Sequence, residues 1–373
     1  MMDGSRTPPP IPYVDLSRHW AQEKDAILPE VERVLAGGFW VGGPEVRAFE
    51  QAFEAYGHVP HCIGTASGTD AIILALRALD IGPGDEVIVP PNSFVASAGA
   101  VVMVGATPVF ADVLPDQNLD PEAVIRAIGP NTRAIMAVHL TGRMGPMDLY
   151  REIADDNGLA LIEDAAQSVG SSYLGRKSGA WGDVGCFSAH PLKNLNAAGD
   201  AGFVATRHDD LAARIRRLGN NGSVDRDTVV EWGMVSRLDP VQAVVLSHRL
   251  AHLDEVIAAR QANAERYLAR LDRTAVFHPG WRENAFDTYH TFVIQVDRRD
   301  ELKAYLAENG IGTAIHYPVP IHLQPAAAEL GHGPGSFPKA EAQAGRILSL
   351  PINQFVTEAE IDRVADAING FYA

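Results

Sequence analysis

The chain has 373 residues, of which 46% are hydrophobic and 21% charged, so it can bury one large core or two smaller ones. Its formal net charge of −16 argues against a nucleic-acid or anionic-membrane surface, because such surfaces need clustered Lys and Arg. The N-terminal residues lack the apolar run of a signal peptide, and we expect a cytoplasmic protein. Cys62 and Cys186 have apolar neighbours, which predicts buried residues rather than a disulfide.

Between about residues 60 and 220, short apolar runs alternate with helical segments. The strand candidates are almost continuously apolar, as in strands buried on both faces; they are Glu86–Pro90, Pro108–Ala111, Ala134–Val138, Ala160–Glu163, Val184–Phe187 and Gly202–Ala205. Helices are predicted at Asp70–Leu79, Met147–Asn157 and Leu211–Leu218. This alternation predicts a layered α/β domain with a mostly parallel sheet.

The pattern changes after Pro240. A helical run from Val241 to about Leu271 has apolar residues three and four positions apart, and such a run often bridges two domains. The later elements indicate a smaller α+β domain; they are a strand at Thr291–Val296, a helix at Arg299–Glu308 and a helix near Glu358–Phe371. We place the boundary near residue 248, which predicts domains at residues 1–248 and 249–373.

A lysine and an aspartate carry the strongest chemical signal. Lys193 lies in a loop rich in Gly, Asn and Pro that follows an apolar strand, and Asp164 ends another apolar strand about thirty residues earlier. Pyridoxal 5'-phosphate (PLP) chemistry needs such a pair, because the amine forms a Schiff base and the carboxylate keeps the pyridinium nitrogen protonated. Gln167 is expected near the ring oxygen. Asp164 alone fits a helix N-cap equally well.

Three further positions are candidates for holding the cofactor. Ser67-Gly68-Thr69 opens a helix, where backbone N–H groups, a hydroxyl and the helix dipole favour a phosphate, although a simple helix start also fits. Ser188, beside the lysine loop, is a second candidate phosphate donor. Phe94 is positioned to stack on the cofactor ring or to pack in the core.

A proline-rich loop in the predicted small domain contains His316 and His322. Neither histidine has the Cys or carboxylate motif of a zinc site, so we predict no metal. The two histidines either support the loop or present hydrogen-bond donors to a polyhydroxyl substrate.

Nearly end to end, the chain resembles the DegT/StrS-type family of PLP-dependent sugar aminotransferases. The matching segments are Ile11–Leu16, Ser67–Ala71, Val138–Gly142, Glu163–Gln167, Phe187–Leu195, Ser236–Asp239 and His316–Pro325. The resemblance implies PLP fold type I, the aspartate-aminotransferase-like fold. Its features are a three-layer large domain with a mostly parallel sheet, an N-terminal arm and a smaller α+β C-terminal domain.

The resemblance also implies residue roles. Lys193 carries the cofactor as a Schiff base and moves the proton, and Asp164 pairs with the pyridinium nitrogen. The remaining implied cofactor contacts are Ser67, Gly68, Thr69 and Ser188 to the phosphate, Phe94 to the ring and Gln167 to its oxygen. The expected substrate contacts are His316, Tyr317 and His322. A dehydratase branch of the family has histidine in place of the lysine, so Lys193 favours transamination.

The implied reaction moves an amino group from glutamate or glutamine to a keto-sugar, which we expect to be nucleotide-linked. A keto-cyclitol acceptor and a non-catalytic sensor with the same fold are the alternatives. Family members are homodimers with shared active sites, and the partner's Gly-Tyr/Phe-Asn-x-Arg segment often supplies a phosphate contact. Here that segment is Gly233–Arg237, with Val235 in place of the asparagine.

Overall fold

The computed structural model describes residues 9–373; the first eight residues, on which the signal-peptide expectation partly rests, lie outside the described part. The α-helices are Leu16–Gly37 (α1), Pro44–Gly57 (α2), Gly68–Ala78 (α3), Val95–Met103 (α4), Pro121–Ala127 (α5), Met147–Asn157 (α6), Asp209–Leu218 (α7), Pro240–Ala251 (α8), Leu253–Arg270 (α9), Arg299–Glu308 (α10), Pro338–Ala344 (α11) and Glu358–Tyr372 (α12). None of these helices combines the length and apolar character needed to cross a membrane.

The strands form one large sheet and two small ones. In chain order the strands are His61–Thr65 (β1), Glu86–Val89 (β2), Thr107–Phe110 (β3), Thr132–Val138 (β4), Ala160–Asp164 (β5), Ser172–Tyr173 (β6), Arg176–Lys177 (β7), Val184–Ser188 (β8), Gly202–Thr206 (β9), Val276–Phe277 (β10), Ala285–Phe286 (β11), Phe292–Val296 (β12) and Ile347–Leu350 (β13). The large sheet has seven strands in the order β1-β9-β8-β5-β4-β2-β3. Strands β8, β5, β4, β2 and β3 run parallel, while β9 is antiparallel to β8 and β1.

The predicted α/β domain is confirmed, because helices cover both faces of this sheet. Helices α3, α4 and α7 contribute to one buried cluster, and α2, α8 and α6 contribute to clusters that also include residues of the sheet. All six predicted strands form, with ends that differ by two residues at most. Their continuous apolar character reflects burial from both sides.

The C-terminal part has its own core. Strands β10, β12 and β13 form an antiparallel sheet, and α9, α10 and α12 pack with them. Ile11, near the N-terminus, is also buried in this cluster and pairs with Ile311. The smaller α+β unit of the predicted fold class thus forms, and Ile11 of the N-terminal segment joins its core through an isolated β-bridge.

The predicted helical run from Val241 to Leu271 is two helices that break at His252. His248 and Arg249 lie in the last turn of α8, while Asp254 and Glu255 lie in the first turn of α9. Cations stabilise helix C-termini and anions stabilise N-termini, so this charge order is a signal for the break. Helix α8 packs with the large sheet's helices, whereas the end of α9 packs in the C-terminal core.

Candidate functional site

A cavity of about 350 Å³ lies at the carboxyl ends of the central parallel strands. In open α/β sheets this edge is where ligands bind. Ten of the eleven predicted site residues line it: Ser67, Gly68, Thr69, Phe94, Asp164, Gln167, Ser188, Lys193, His316 and Tyr317. These residues come from five separate parts of the chain, so the fold brings together what the sequence separates.

Lys193 projects into the cavity from the loop between β8 and β9. The loop turns tightly, because the backbone N–H of Lys193 donates to the carbonyl of His190 at 2.8 Å. Burial lowers the pKa of the Lys193 amine to about 8, and the charge of Asp164 partly opposes that shift. About a tenth of the amine is therefore neutral at pH 7, far more than for an ordinary lysine, and a neutral amine is the form that attacks a carbonyl.

Asp164 ends β5, directly beside β8, and its side chain is buried. One carboxylate oxygen accepts a hydrogen bond from Ser97 Oγ at 2.6 Å, and the other accepts from the backbone N–H of Ala166 at 3.2 Å. These two donors fix the carboxylate toward the cavity and help to offset the burial of its charge. The carboxylate is thus held in a fixed position in the cavity, where a cationic ring nitrogen can approach it.

The first turn of α3 lies against the ends of β8 and β9. A Cβ atom on Gly68 would be 2.6 Å from the Cβ of Ser188, and one on Gly202 would be 2.4 Å from the backbone of Ser67. Only glycine permits these close approaches. They bring the Ser188 hydroxyl beside the N–H groups at the helix start, which is the donor set that a phosphate prefers.

Aromatic and amide groups flank the space between Lys193 and Asp164. The rings of Phe94 and Tyr317 are 5.5 Å apart, and Phe94 remains half exposed. Gln167 accepts a hydrogen bond from the backbone N–H of Thr141 at 2.7 Å, and its amide reaches the Tyr317 hydroxyl at 3.5 Å. Phe94 therefore faces a binding cavity and is not a core residue.

The two histidines of the proline-rich loop separate. His316 lines the cavity, and its Nδ1 forms a hydrogen bond with Ser349 Oγ at 2.9 Å. Burial lowers the pKa of His316 to about 4, so the ring is neutral. His322 instead lies outside the cavity lining, with Glu341 3.1 Å from its Nε2 and the ring of Phe337 against it. His322 is thus buried outside the cavity lining, and the structure does not bring it together with the other predicted substrate contacts.

Several residues of the site were not identified from the sequence. Ser97, outside the cavity lining, binds the Asp164 carboxylate, while Tyr13, Arg260 and Asn353 line the cavity. Ser97 lies three residues after Phe94 on the first turn of α4, which is a usable local signal. Arg260 and Asn353 carry no such signal, because only the packing of α9 and the 351–355 segment brings them to the cavity.

The residues present fit PLP. The cavity offers a depressed-pKa amine, a fixed carboxylate, an aromatic side chain and a phosphate cradle whose glycines cannot be replaced without a clash. Each of these features suits a different part of that cofactor.

Comparison with known proteins identifies the family. The profile of the DegT/DnrJ/EryC1/StrS aminotransferase family matches residues 21–369. The chain is 44% identical to a dTDP-3-amino-3,4,6-trideoxy-alpha-D-glucose transaminase of Streptomyces venezuelae, over 96% of each chain. It is also 44% identical to the erythromycin biosynthesis sensory transduction protein EryC1 of Saccharopolyspora erythraea, over 95% of this chain and 97% of that protein.

Solved structures agree with these matches. The crystal structure of S. venezuelae DesV in complex with a ketimine intermediate superposes with a TM-score of 0.95 at 43% identity, covering 97% of this chain and 98% of DesV. The structure of NtdA from Bacillus subtilis with bound cofactor PMP has a TM-score of 0.91 at 31% identity, covering 98% of this chain and 86% of NtdA. The resemblance noted from the sequence motifs is confirmed, and the chain belongs to the DegT/DnrJ/EryC1/StrS aminotransferase family.

Proposed function

We propose that this protein is a PLP-dependent aminotransferase that moves an amino group from glutamate or glutamine to a nucleotide-linked keto-sugar. The observation that carries the proposal is the convergence of the Lys193 amine and the Asp164 carboxylate in one cavity at the sheet edge. Membership of an aminotransferase family and the PMP bound to NtdA support the choice of cofactor.

The residue roles follow from position. When bound, the cofactor supplies an aldehyde for a Schiff base and a ring that takes up electron density from the reacting carbon. Lys193 would hold the cofactor covalently through its amine, and the same amine would move the proton at the reacting carbon in each half-reaction. Asp164 keeps the ring nitrogen protonated. The helix start at Ser67-Gly68-Thr69 and Ser188 bind the phosphate, Phe94 covers the ring and Gln167 contacts its oxygen.

The substrate assignment rests on cavity chemistry and on relatives. His316 and Tyr317 offer neutral hydrogen-bonding groups, which suit sugar hydroxyls. The relative from S. venezuelae is named as a dTDP-sugar transaminase. A regulator is the second candidate, because EryC1 is named as a sensory transduction protein. The catalytic pair of Lys193 and Asp164 favours turnover over regulation.

An absorbance experiment tests the reaction. The holoenzyme's visible absorbance should fall when glutamate or glutamine is added, and it should return when a nucleotide-linked keto-sugar is added to the resulting pyridoxamine form. Return only with keto-cyclitols would assign the aminocyclitol alternative. Absence of any donor-dependent change in cofactor-loaded protein would instead favour the sensor.

We further propose a cytoplasmic homodimer with shared active sites. Two segments with exposed apolar side chains, residues 39–41 and 224–235, lie beside one groove, whose lining includes Gly42 and Val224. Their side chains are 54–88% exposed in the single chain: Phe39, Trp40, Val41, Val224, Val229, Val230, Trp232 and Val235. Exposed apolar patches of this kind mark protein interfaces. Val235 lies on this surface, away from the chain's own cavity, which suits a residue offered to a partner's site.

Replacement of Val235 by asparagine should tighten cofactor binding. Valine has no side-chain donor at the position where the family usually has asparagine, and a hydrogen bond to a charged phosphate contributes about 1.5–3 kcal/mol. We therefore expect the dissociation constant for PLP to fall by about tenfold or more in Val235→Asn. Titration of the apoprotein, followed by absorbance, measures it.

A matched substitution controls for surface polarity. Val230→Asn changes a valine of similar exposure on the same surface, and its PLP affinity should stay at the wild-type value. Equal tightening in both variants, or no tightening in Val235→Asn, would show that residue 235 does not approach the phosphate.

A further inference from the structure

Arg260 is a buried cation in the cavity wall for which the residue roles above leave no function. It lies on α9, its exposure is 7%, and it lines the same cavity as Lys193. Burial lowers the pKa of its guanidinium to about 10, with the Tyr13 phenol opposing that shift, so the group is charged at neutral pH. A buried charge is unfavourable unless it is fully hydrogen-bonded or paired.

The hydrogen bonds of Arg260 occupy one side of the guanidinium. Its Nη1 donates to the backbone carbonyls of Tyr289 and His290, both at 3.1 Å. Its Nη2 has a long bond of 3.4 Å to Gln354 Oε1, and its Nε has no hydrogen-bond partner within residues 9–373. Nε and Nη2 form the planar edge whose two donors match the two oxygens of a carboxylate.

The other buried arginines show what that edge normally binds. Arg143 donates from Nη1 to a backbone carbonyl at 2.8 Å and from Nε to the Asp116 carboxylate at 3.1 Å. Arg299 donates from Nη1 to two backbone carbonyls and from Nε to the Asp300 carboxylate at 2.6 Å. Arg260 has the same backbone anchoring but lacks the carboxylate. The pattern points to a carboxylate that arrives with a ligand.

The charges of the cavity lining indicate which kind of ligand carries that carboxylate. Asp15, Asp164 and Asp200 line it, and within the described part of the chain Lys193 and Arg260 are its Lys and Arg residues. Burial lowers the pKa of His290, and the charges of Lys193 and Arg260 lower it further, because His290 lies near both cations. An amino-acid donor that reacts at the position of the Lys193 amine carries its carboxylate on the same carbon. That carboxylate enters a cavity whose lining includes three aspartates, so it needs a cationic partner there.

We propose that Arg260 binds the α-carboxylate of the amino-acid donor through its Nε and Nη2 edge, displacing the Gln354 amide. The assignment rests on the proposed aminotransferase function and adds the donor subsite to it. The carbonyl of a keto-sugar has no adjacent carboxylate, so Arg260 serves the donor half-reaction and not the acceptor half-reaction.

The two half-reactions test this separately. In cofactor-loaded Arg260→Gln, kcat/KM for glutamate in the donor half-reaction should fall between about 10- and 100-fold, mostly through KM, as expected for a lost charged hydrogen bond. The acceptor half-reaction, started from the pyridoxamine form, should change less than about threefold. Calorimetric titration measures the binding of glutarate, which has the donor's carboxylates but no amine. In Arg260→Gln the affinity for glutarate should weaken by a factor similar to the fall in kcat/KM for glutamate.

Arg299→Gln is the matched control, since it removes a buried arginine with the same backbone anchoring outside the cavity lining. Its two half-reactions and its glutarate affinity should change together and little. Equal slowing of both half-reactions in Arg260→Gln, or glutarate binding as strong as in Arg299→Gln, would overturn the donor subsite. Failure of wild-type holoenzyme to react with any donor would reject the aminotransferase proposal, while the glutarate comparison would still decide the carboxylate site.

Discussion

Lys193→Ala should lower transamination by at least about 10⁴-fold, because one substitution removes both the covalent attachment of the cofactor and the group that moves the proton. No neighbouring lysine lines the cavity within residues 9–373 to take over the role. Steady-state turnover with glutamate and an acceptor measures the loss. The visible absorbance of covalently held cofactor should disappear as well, and gel filtration should then remove the cofactor.

Lys177 provides the control for Lys193. Its amine is half buried, its pKa is also lowered by burial, and its Nζ lies 3.5 Å from the ring centre of Tyr56, outside the cavity lining. Lys177→Ala should keep turnover within a few-fold of wild type and keep the cofactor band. Full turnover in Lys193→Ala would contradict the proposed function itself.

Asp164→Asn should lower turnover on the order of 10²–10³-fold while the cofactor remains attached to Lys193. The amide preserves the size of the side chain and a hydrogen-bond acceptor for Ser97, but it removes the negative charge that keeps a ring nitrogen protonated. Electron density from the reacting carbon then has no cationic acceptor. Absorbance of the holoenzyme and steady-state kinetics distinguish loss of the cofactor from loss of catalysis.

The role of the charge can be separated from that of positioning with Ser97→Ala. This variant removes the 2.6 Å hydrogen bond to Asp164 but leaves the carboxylate in place, so turnover should fall by only about tenfold. If Ser97→Ala were as damaging as Asp164→Asn, the orientation of the carboxylate rather than its charge would dominate.

The proposed catalytic pair, Lys193 and Asp164, could be identified from the sequence because its signals are local. A carboxylate at the end of one apolar strand and a lysine just after another both lie at the ligand-binding edge of a parallel sheet, whatever the strand order. The structure shows that β5 and β8 are in fact neighbours, which brings Asp164 within electrostatic range of Lys193.

Two sequence-based predictions differ from the structure for the same reason. The helical run after Pro240 was predicted to be continuous because its apolar spacing continues through His252, where the helix ends for reasons of local charge and packing. His322 shares a motif with His316, yet the loop between them turns its ring onto Phe337 and Glu341. Periodicity and motif membership do not specify which way a side chain finally points.

The sequence by itself predicted the class of fold, the cofactor and the proposed catalytic pair of Lys193 and Asp164, because strand burial, helix starts and strand-end residues are encoded over a few positions. Only the tertiary structure decided which side chains complete the cavity. Tyr13, Arg260 and Asn353 come from the N-terminal segment, α9 and the 351–355 segment, and contacts between residues so far apart in sequence leave no local pattern. The carboxylate-free edge of Arg260 is visible only once its partners in space are known.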